Sequence, residues 1–391
     1  MTDRNTAALA EAQRDIAIRH LDQLSNMPLT MIPDEDEKIP IEMKENFLRT
    51  LERWSEENKE TIAYAIRNKA FGGGYGKSID WKCAFLAFME SGALYLRDWY
   101  LVVAAVRLYN EEKFEDAIEM LNKSVAMIHK LASIWGLKFQ LLSDLLDERS
   151  SEHNTWSGPY CGAFYSQDPK TPFVGMAFKG TNRKNKGELL VDWHYEPQES
   201  PSEVLYGAHV SKGVFNGLFG HFGAWRPFDL ITKGLTSLLL TIPNDTDEKV
   251  VTHLTGHSLG GSYSSLCFTQ LTIEGKLPLA ATLGDLYTFG SPRNGEDDLA
   301  IALRNHLGEK TGNSWRIVNK GDRIPTVPPV IPFSRVDFVH VDTGLMISPD
   351  KAPELLDTEI GTKPPKGNLV FGIGEHQTED YYVSLQMALR G

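Results

Sequence analysis

Cysteine is scarce in this sequence, with three residues in 391. Cys83, Cys161 and Cys267 lie far apart and show no C-x-x-C spacing, so neither a disulfide framework nor a zinc site is expected, and all three read as buried thiols. Long apolar runs are also missing. The longest, Trp99 to Val106, falls well short of the roughly 20 residues that a membrane-spanning helix requires. The opening stretch, MTDRNTAALAEAQRDIAIRH, alternates charge and alanine where a secretory signal would carry an apolar h-region, and an intracellular protein is expected. Positive charge is in deficit: 40 Lys plus Arg against 52 Asp plus Glu leave a net charge of −12. That mean field opposes nucleic acid and anionic lipid surfaces. No internal repeat or low-complexity tract is visible, which argues against a solenoid.

What is present is an ordinary globular composition, 41% hydrophobic and 24% charged, on a chain long enough for two or three units of about 150 residues. Residues up to about 30 read as a polar helix, and MIPDEDEKIP at 31–40 reads as a linker. From Ile41 to about Asp147 apolar residues recur at spacings of three and four, as in Leu94, Tyr95, Trp99, Val102, Val103, Val106 and then Phe114, Ile118, Leu121, Val125, Ile128, Leu131, which predicts helices. The Gly-rich FGGGYGKS at 71–78 invites a P-loop reading. Counting back from Gly76, however, puts Phe71 where that motif needs glycine and finds no strand ahead of it, so a helix-to-helix turn is expected. After Ser150 short β-type runs alternate with helices, the mark of an α/β domain with a mainly parallel sheet. The predicted strands are 160–165, 173–178, 249–255, 286–289 and 315–318, with helices near 259–274, 296–309 and 378–390. The expected division is a helical extension over 1–150, a possible cap, and an α/β domain over 151–391.

The sharpest signal is KVVTHLTGHSLGGS at 249–262, which contains G-x-S-x-G as Gly256, His257, Ser258, Leu259 and Gly260. A β-branched apolar run precedes it and a helix-like segment follows. That context is what a strand-to-helix elbow requires to push a strained serine above a sheet. The helix N-terminus under Ser258 supplies a positive dipole end and free backbone donors for a developing oxyanion. His257, in the variable position, is expected to point away from Ser258 into the sheet flank.

A serine nucleophile needs a base and the base needs an orienting carboxylate, in the chain order Ser, Asp or Glu, His for sites built on such an elbow. Asp322, just past the apolar run 315–318, is the carboxylate candidate. Asp285 reads as preceding a strand, Asp297 and Asp298 as opening a helix, and Asp337 and Asp342 also compete. Two histidines follow Asp322. His340 lies in the alternating run 336–341, where a structural imidazole is usual. His376 sits on a Gly-punctuated loop ahead of the last helix, a natural place for a base, and is preferred. His194, His209 and His253 precede the serine and read as structural. The segment 213–225 mixes small and large apolar residues, which suits either an acyl pocket or plain core packing.

Gly-His-Ser-Leu-Gly-Gly, YTFGSPRNG at 287–295 and DRIPTVPP at 322–329, in that order, resemble the class 3 lipase family of filamentous-fungal type. The resemblance covers roughly 160–382. It implies an α/β-hydrolase fold, a Ser258–Asp322–His376 triad, no cofactor or metal, and a hydrophobic or lipid ester as substrate, met through transient contact with a lipid interface. It also implies that AFKGT, ending at Thr181, is the oxyanion segment, with Lys179 in place of the family's Arg, and that the amides of Thr181 and Leu259 hold the oxyanion. Asp192-Trp193 resembles the family's scaffold pair after that segment. Family members usually carry aromatics three or four residues after the catalytic His, whereas Tyr381 and Tyr382 come five and six after His376. Acyl transfer by the same triad and a non-catalytic lipase-like binding module are the alternative readings.

Overall fold

A computed structural model describes residues 2–25, 41–148, 155–180, 196–308, 311–328, 337–356 and 374–391. Its centre is one sheet of eight strands: β1 (Leu137–Ser143), β2 (Cys161–Ser166), β3 (Phe173–Phe178), β4 (Val250–His257), β5 (Ala281–Phe289), β6 (Ser314–Asn319), β7 (Thr343–Ile347) and β8 (Glu354–Leu355). Neighbours in the sheet follow that same order. Strands β3 to β7 run parallel, while β1, β2 and β8 close the two ends by antiparallel pairing. Every residue of β2, β3, β4 and β6 is buried. Parallel strands with helices on both faces read as such continuous apolar runs. The architecture is that of an α/β-hydrolase fold, as expected.

Period-two alternation divides the strands between two cores. Phe173, Ala177, Val251, Tyr287, Phe289 and Ile317 face one side; Val174, Met176, Phe178, Leu254 and Leu286 face the other. The N-terminal helices are α1 (Thr2–Ser25), α2 (Ile41–Glu57), α3 (Lys59–Arg67), α4 (Trp81–Ala93), α5 (Trp99–Asn110), α6 (Phe114–Ser124) and α7 (Ala126–Ile134). Helix α4 starts at Asp80, whose carboxylate caps the amides of Lys82 and Cys83. It is buried from Cys83 through Ala93, because it lies flat against β3, β4 and β5. A helix apolar on all sides belongs inside a structure. Polar ties join the two: the Thr255 hydroxyl donates to the Ala87 carbonyl at 2.9 Å, and His253 pairs with Glu90 at 2.6 Å, both fully buried. The opposite face carries α8 (Lys212–Phe219), α9 (Pro227–Leu239) and α10 (Leu259–Leu271), with α11 (Asp297–His306) beside them and α12 (Thr378–Ala388) returning to the α4 side.

Several expectations change. Strand β1 lies inside the stretch read as helical, because its apolar residues Phe139 and Leu141 are spaced for a strand and pair with β2. A boundary near 150 therefore cuts through the sheet. Leu48, Trp54, Phe88 and Leu131 share one buried cluster with Phe289, Ile317 and Leu385, so residues before and after 150 build a common core. Asp285 lies within β5, at a register irregularity. There it accepts from the Asn313 and Gly72 amides and the Tyr287 hydroxyl at 2.7, 3.1 and 2.8 Å. The Gly72 bond also settles the 71–78 loop: it is the turn from α3 to α4, and one of its amides is filled by the protein's own carboxylate. Residues 337–341 make an isolated bridge at Val339 and no strand. Within 213–225, Val214, Phe215 and Leu218 are buried against Leu266 and Phe268, which is core packing.

His20 on α1 is 1% exposed. Burial, helped by the charges of Arg97 and Arg19, lowers its pKa from the ordinary 6.5 to about 4. The unfolded chain thus takes up a proton between pH 6.5 and 4 that the folded chain refuses. Stability held above pH 6.5 drains as pH falls toward 4, by up to about 3 kcal/mol. Urea midpoints at pH 7.5 and 4.5 should converge in His20→Leu relative to the parent chain; an equal acid loss in both would refute this.

Candidate active site

The serine elbow forms between β4 and α10. Ser258 has φ +58° and ψ −131°, outside the regions open to L residues at low cost. Two flanking glycines permit it. A Cβ on Gly256 would come within 2.1 Å of the Gly260 carbonyl oxygen, and one on Gly260 within 2.2 Å of the Phe178 carbonyl oxygen. The Ser258 amide donates to the Phe289 carbonyl at 2.8 Å, tying the elbow to the end of β5. Leu259 is the first residue of α10, so its amide has no carbonyl to bond within the helix.

Asp322 follows β6 on a turn and is 7% exposed. Its Oδ1 accepts the Ile324 amide at 2.9 Å. Its Oδ2 accepts from His376 Nδ1 at 2.8 Å and from the Tyr381 hydroxyl at 2.6 Å. His376 is buried at 6% exposure, and its Nε2 has no hydrogen-bond partner among the described residues. With Nδ1 donating to the carboxylate, Nε2 is the ring's basic lone pair. The pair lies beside the same strand end that anchors the serine: a Cβ on Gly290 would meet Asp322 Oδ2 at 2.7 Å and His376 Cε1 at 2.8 Å. The structure thus brings Asp322 and His376 into contact and sets them and Ser258 around the C-terminal edge of β5. Ligand sites of open α/β sheets lie at this edge.

The other histidines have different surroundings. His340 is held well below its usual pKa by burial and by Arg316 and Arg293, and the described bonds of Asp322 go to His376, Tyr381 and Ile324 instead. His253 meets Glu90, and His209 pairs with Asp298 at 2.8 Å. Thr181, Asp192, Trp193 and His194 lie outside the described residues, as does the Pro-rich stretch beyond Pro328.

Tyr381 is the site residue that sequence reasoning passed over. Its place in the chain was noticed only as a displaced aromatic. The reason for the displacement is that α12 begins at Thr378 behind a capping box made by Gln377 and Asp380, so its first inward tyrosine falls five residues after His376. Burial, together with the Asp322 charge, pushes the Tyr381 hydroxyl far above its ordinary pKa. It therefore stays a donor to the carboxylate.

Residues 175–331 match the family model described as lipase (class 3). Among curated proteins, a stretch of 112 residues is 35% identical to a secreted mono- and diacylglycerol lipase of Fusarium solani, covering 29% of each chain. Another, of 94 residues, is 36% identical to the triacylglycerol lipase OBL1 of Ricinus communis, covering 24% of this chain and 17% of that one. The chain thus spans less than a third of the length of these relatives. Among solved structures, lipase II from Rhizopus niveus aligns with a TM-score of 0.40 at 17% identity, over 71% of this chain and 86% of that one. The intracellular location expected from the sequence does not stand, since a relative is named as a secreted lipase. That expectation rested on the opening stretch alone; the three cysteines, all buried, carry no mark of their redox compartment.

Proposed function

We propose, from the match of residues 175–331 to the class 3 lipase family model, that the protein is a serine hydrolase of hydrophobic carboxylic esters, acylglycerols among them. Ser258 attacks the ester carbonyl, and His376 Nε2 takes the hydroxyl proton and later gives it to the departing alcohol. Asp322 holds the imidazole in the Nδ1–H tautomer and stabilises its charged form. The amides of Leu259 and Thr181 receive the oxyanion, the first at a helix N-terminus where the dipole favours negative charge. Water then releases the acid from the acyl-enzyme. Tyr381 supports the sequence by donating a second hydrogen bond to Asp322 Oδ2, which keeps that carboxylate fixed.

The observation that carries this reading is the His376 ring, bonded to Asp322 at Nδ1, with a buried Nε2 beside the serine elbow that has no partner among the described residues. A buried polar atom without a partner is costly, and a basic nitrogen kept that way at a nucleophile is the arrangement general-base catalysis needs. Turnover of p-nitrophenyl esters of rising acyl length tests it. His376→Ala should lose about four to six orders of magnitude in kcat, whereas His340→Ala should retain turnover. The reverse pattern would assign the base to His340.

A further inference from the structure

His257 stands in the elbow between Gly256 and the nucleophile. It is only 4% exposed, and its ring lies on the α4 face of the sheet, as expected, but it does more than fill space there. Its Nε2 is 3.0 Å from the backbone carbonyl of His376, and its Nδ1 is 2.9 Å from the Tyr95 hydroxyl. A carbonyl can only accept, so Nε2 carries the proton. Nδ1 is then the acceptor, and the tyrosine is its donor. One tautomer satisfies both contacts. The two imidazoles also stack, with centroids 4.7 Å apart.

Tyr95 lies in the 3-10 turn Leu94–Leu96 that follows α4. Its hydroxyl reaches the end of β3 as well: a Cβ on Gly180 would meet the Tyr95 Oη at 2.4 Å, the His257 carbonyl at 2.5 Å and the Ser258 Cβ at 2.9 Å. The tyrosine is therefore wedged where the elbow and the proposed oxyanion segment meet. The loop of the base has other ties, from Asn319 Nδ2 to the Glu375 carbonyl at 3.0 Å and from the Glu375 amide to the Gly321 carbonyl at 3.3 Å. Both come from the Asp322 side. The His257 bond comes from the nucleophile's side and joins the elbow to the base's backbone directly.

We propose that Tyr95 and His257 form a positioning relay for the triad, in which the tyrosine hydroxyl fixes the Nε2–H tautomer of His257 and that N–H holds the His376 backbone at the working distance from Ser258. The inference rests on the triad reading above. It gives the helical segment before residue 150 a part in catalysis without contact to the reacting atoms. Relaxing the tether leaves substrate binding intact and misplaces the base, and a misplacement of about 1 Å costs up to about a hundredfold in rate.

The test is steady-state kinetics on a p-nitrophenyl ester for the full chain, Tyr95→Phe, His257→Ala and His257→Gln. Each rate is normalised to active sites titrated with a p-nitrophenyl phosphonate, and Ser258→Ala serves as the control. Tyr95→Phe should lower kcat per titrated site about tenfold with KM within about twofold, and His257→Ala by more. His257→Gln, whose amide N–H can replace Nε2–H, should recover part of the loss. Wild-type kinetics in Tyr95→Phe, a Gln variant no better than Ala, or a loss that vanishes on normalisation to titrated sites would each overturn the relay. Turnover that survives in Ser258→Ala would instead overturn the triad itself.

Discussion

Ser258→Ala is expected to lower kcat by about four to six orders of magnitude while the protein stays folded, with a thermal midpoint within about 2 °C of the parent. The change removes one oxygen atom and leaves what builds the elbow: the Ser258 amide bond to Phe289, the two close-packed glycines and the N-terminus of α10. Whatever rate survives measures the oxyanion donors and binding alone, since those groups are backbone amides. A companion substitution separates chemistry from strain. Ser258→Gly should be equally inactive yet more stable, by about 1 kcal/mol, because glycine adopts φ +58° without the cost a side chain brings. Midpoints from urea or heat decide the matter. Activity retained in Ser258→Ala would remove the nucleophile from the mechanism, and a Gly variant less stable than Ala would show that the elbow is not strained.

The second large effect concerns the first 150 residues. A chain beginning at residue 151 should fail to fold into a soluble, cooperatively unfolding species. It loses β1, which leaves β2 as an open edge. It also loses α4, which uncovers the face lined by Phe173, Tyr287, Phe289 and Ile317. An exposed apolar face beside an unpaired strand favours aggregation over any folded monomer. Sedimentation and circular dichroism of the shortened chain would check it. A soluble form with a sharp unfolding transition would restore the boundary near 150 and make the helical segment a separable cap.

The contrast between those two regions shows where the sequence was readable. The elbow could be read because its requirements are local: glycines at fixed offsets, a β-branched run before and a helix after. The preference for His376 over His340 rested on the same kind of signal, a Gly-punctuated loop before a helix, and the geometry places His376 against Asp322. Strand β1 could not be read, since LKFQLLS acquires its strand character by pairing with β2, a neighbour that comes after a change of composition. Tyr95 lay further still from view. It looked like one apolar position on a helical stripe, and nothing near it in sequence announces a hydrogen bond to a histidine 162 residues away. Segment 213–225 stayed open between the two readings, because mixed apolar residues read alike whether they line a pocket or fill a core; the structure decides for the core.

The strands of this sheet lie side by side in the order in which the chain presents them, and this orders events in time as well as in space. Ser258 follows β4, Asp322 follows β6, and the loop of His376 follows β8, so the proposed nucleophile, carboxylate and base leave the ribosome in that order. His257 and the carbonyl it holds are 119 residues apart, on the order of ten seconds of synthesis. During that interval the elbow can form with its serine in place and no base beside it. On the proposed mechanism a nascent chain is therefore chemically silent toward esters, and hydrolysis begins only after the loop before α12 has docked.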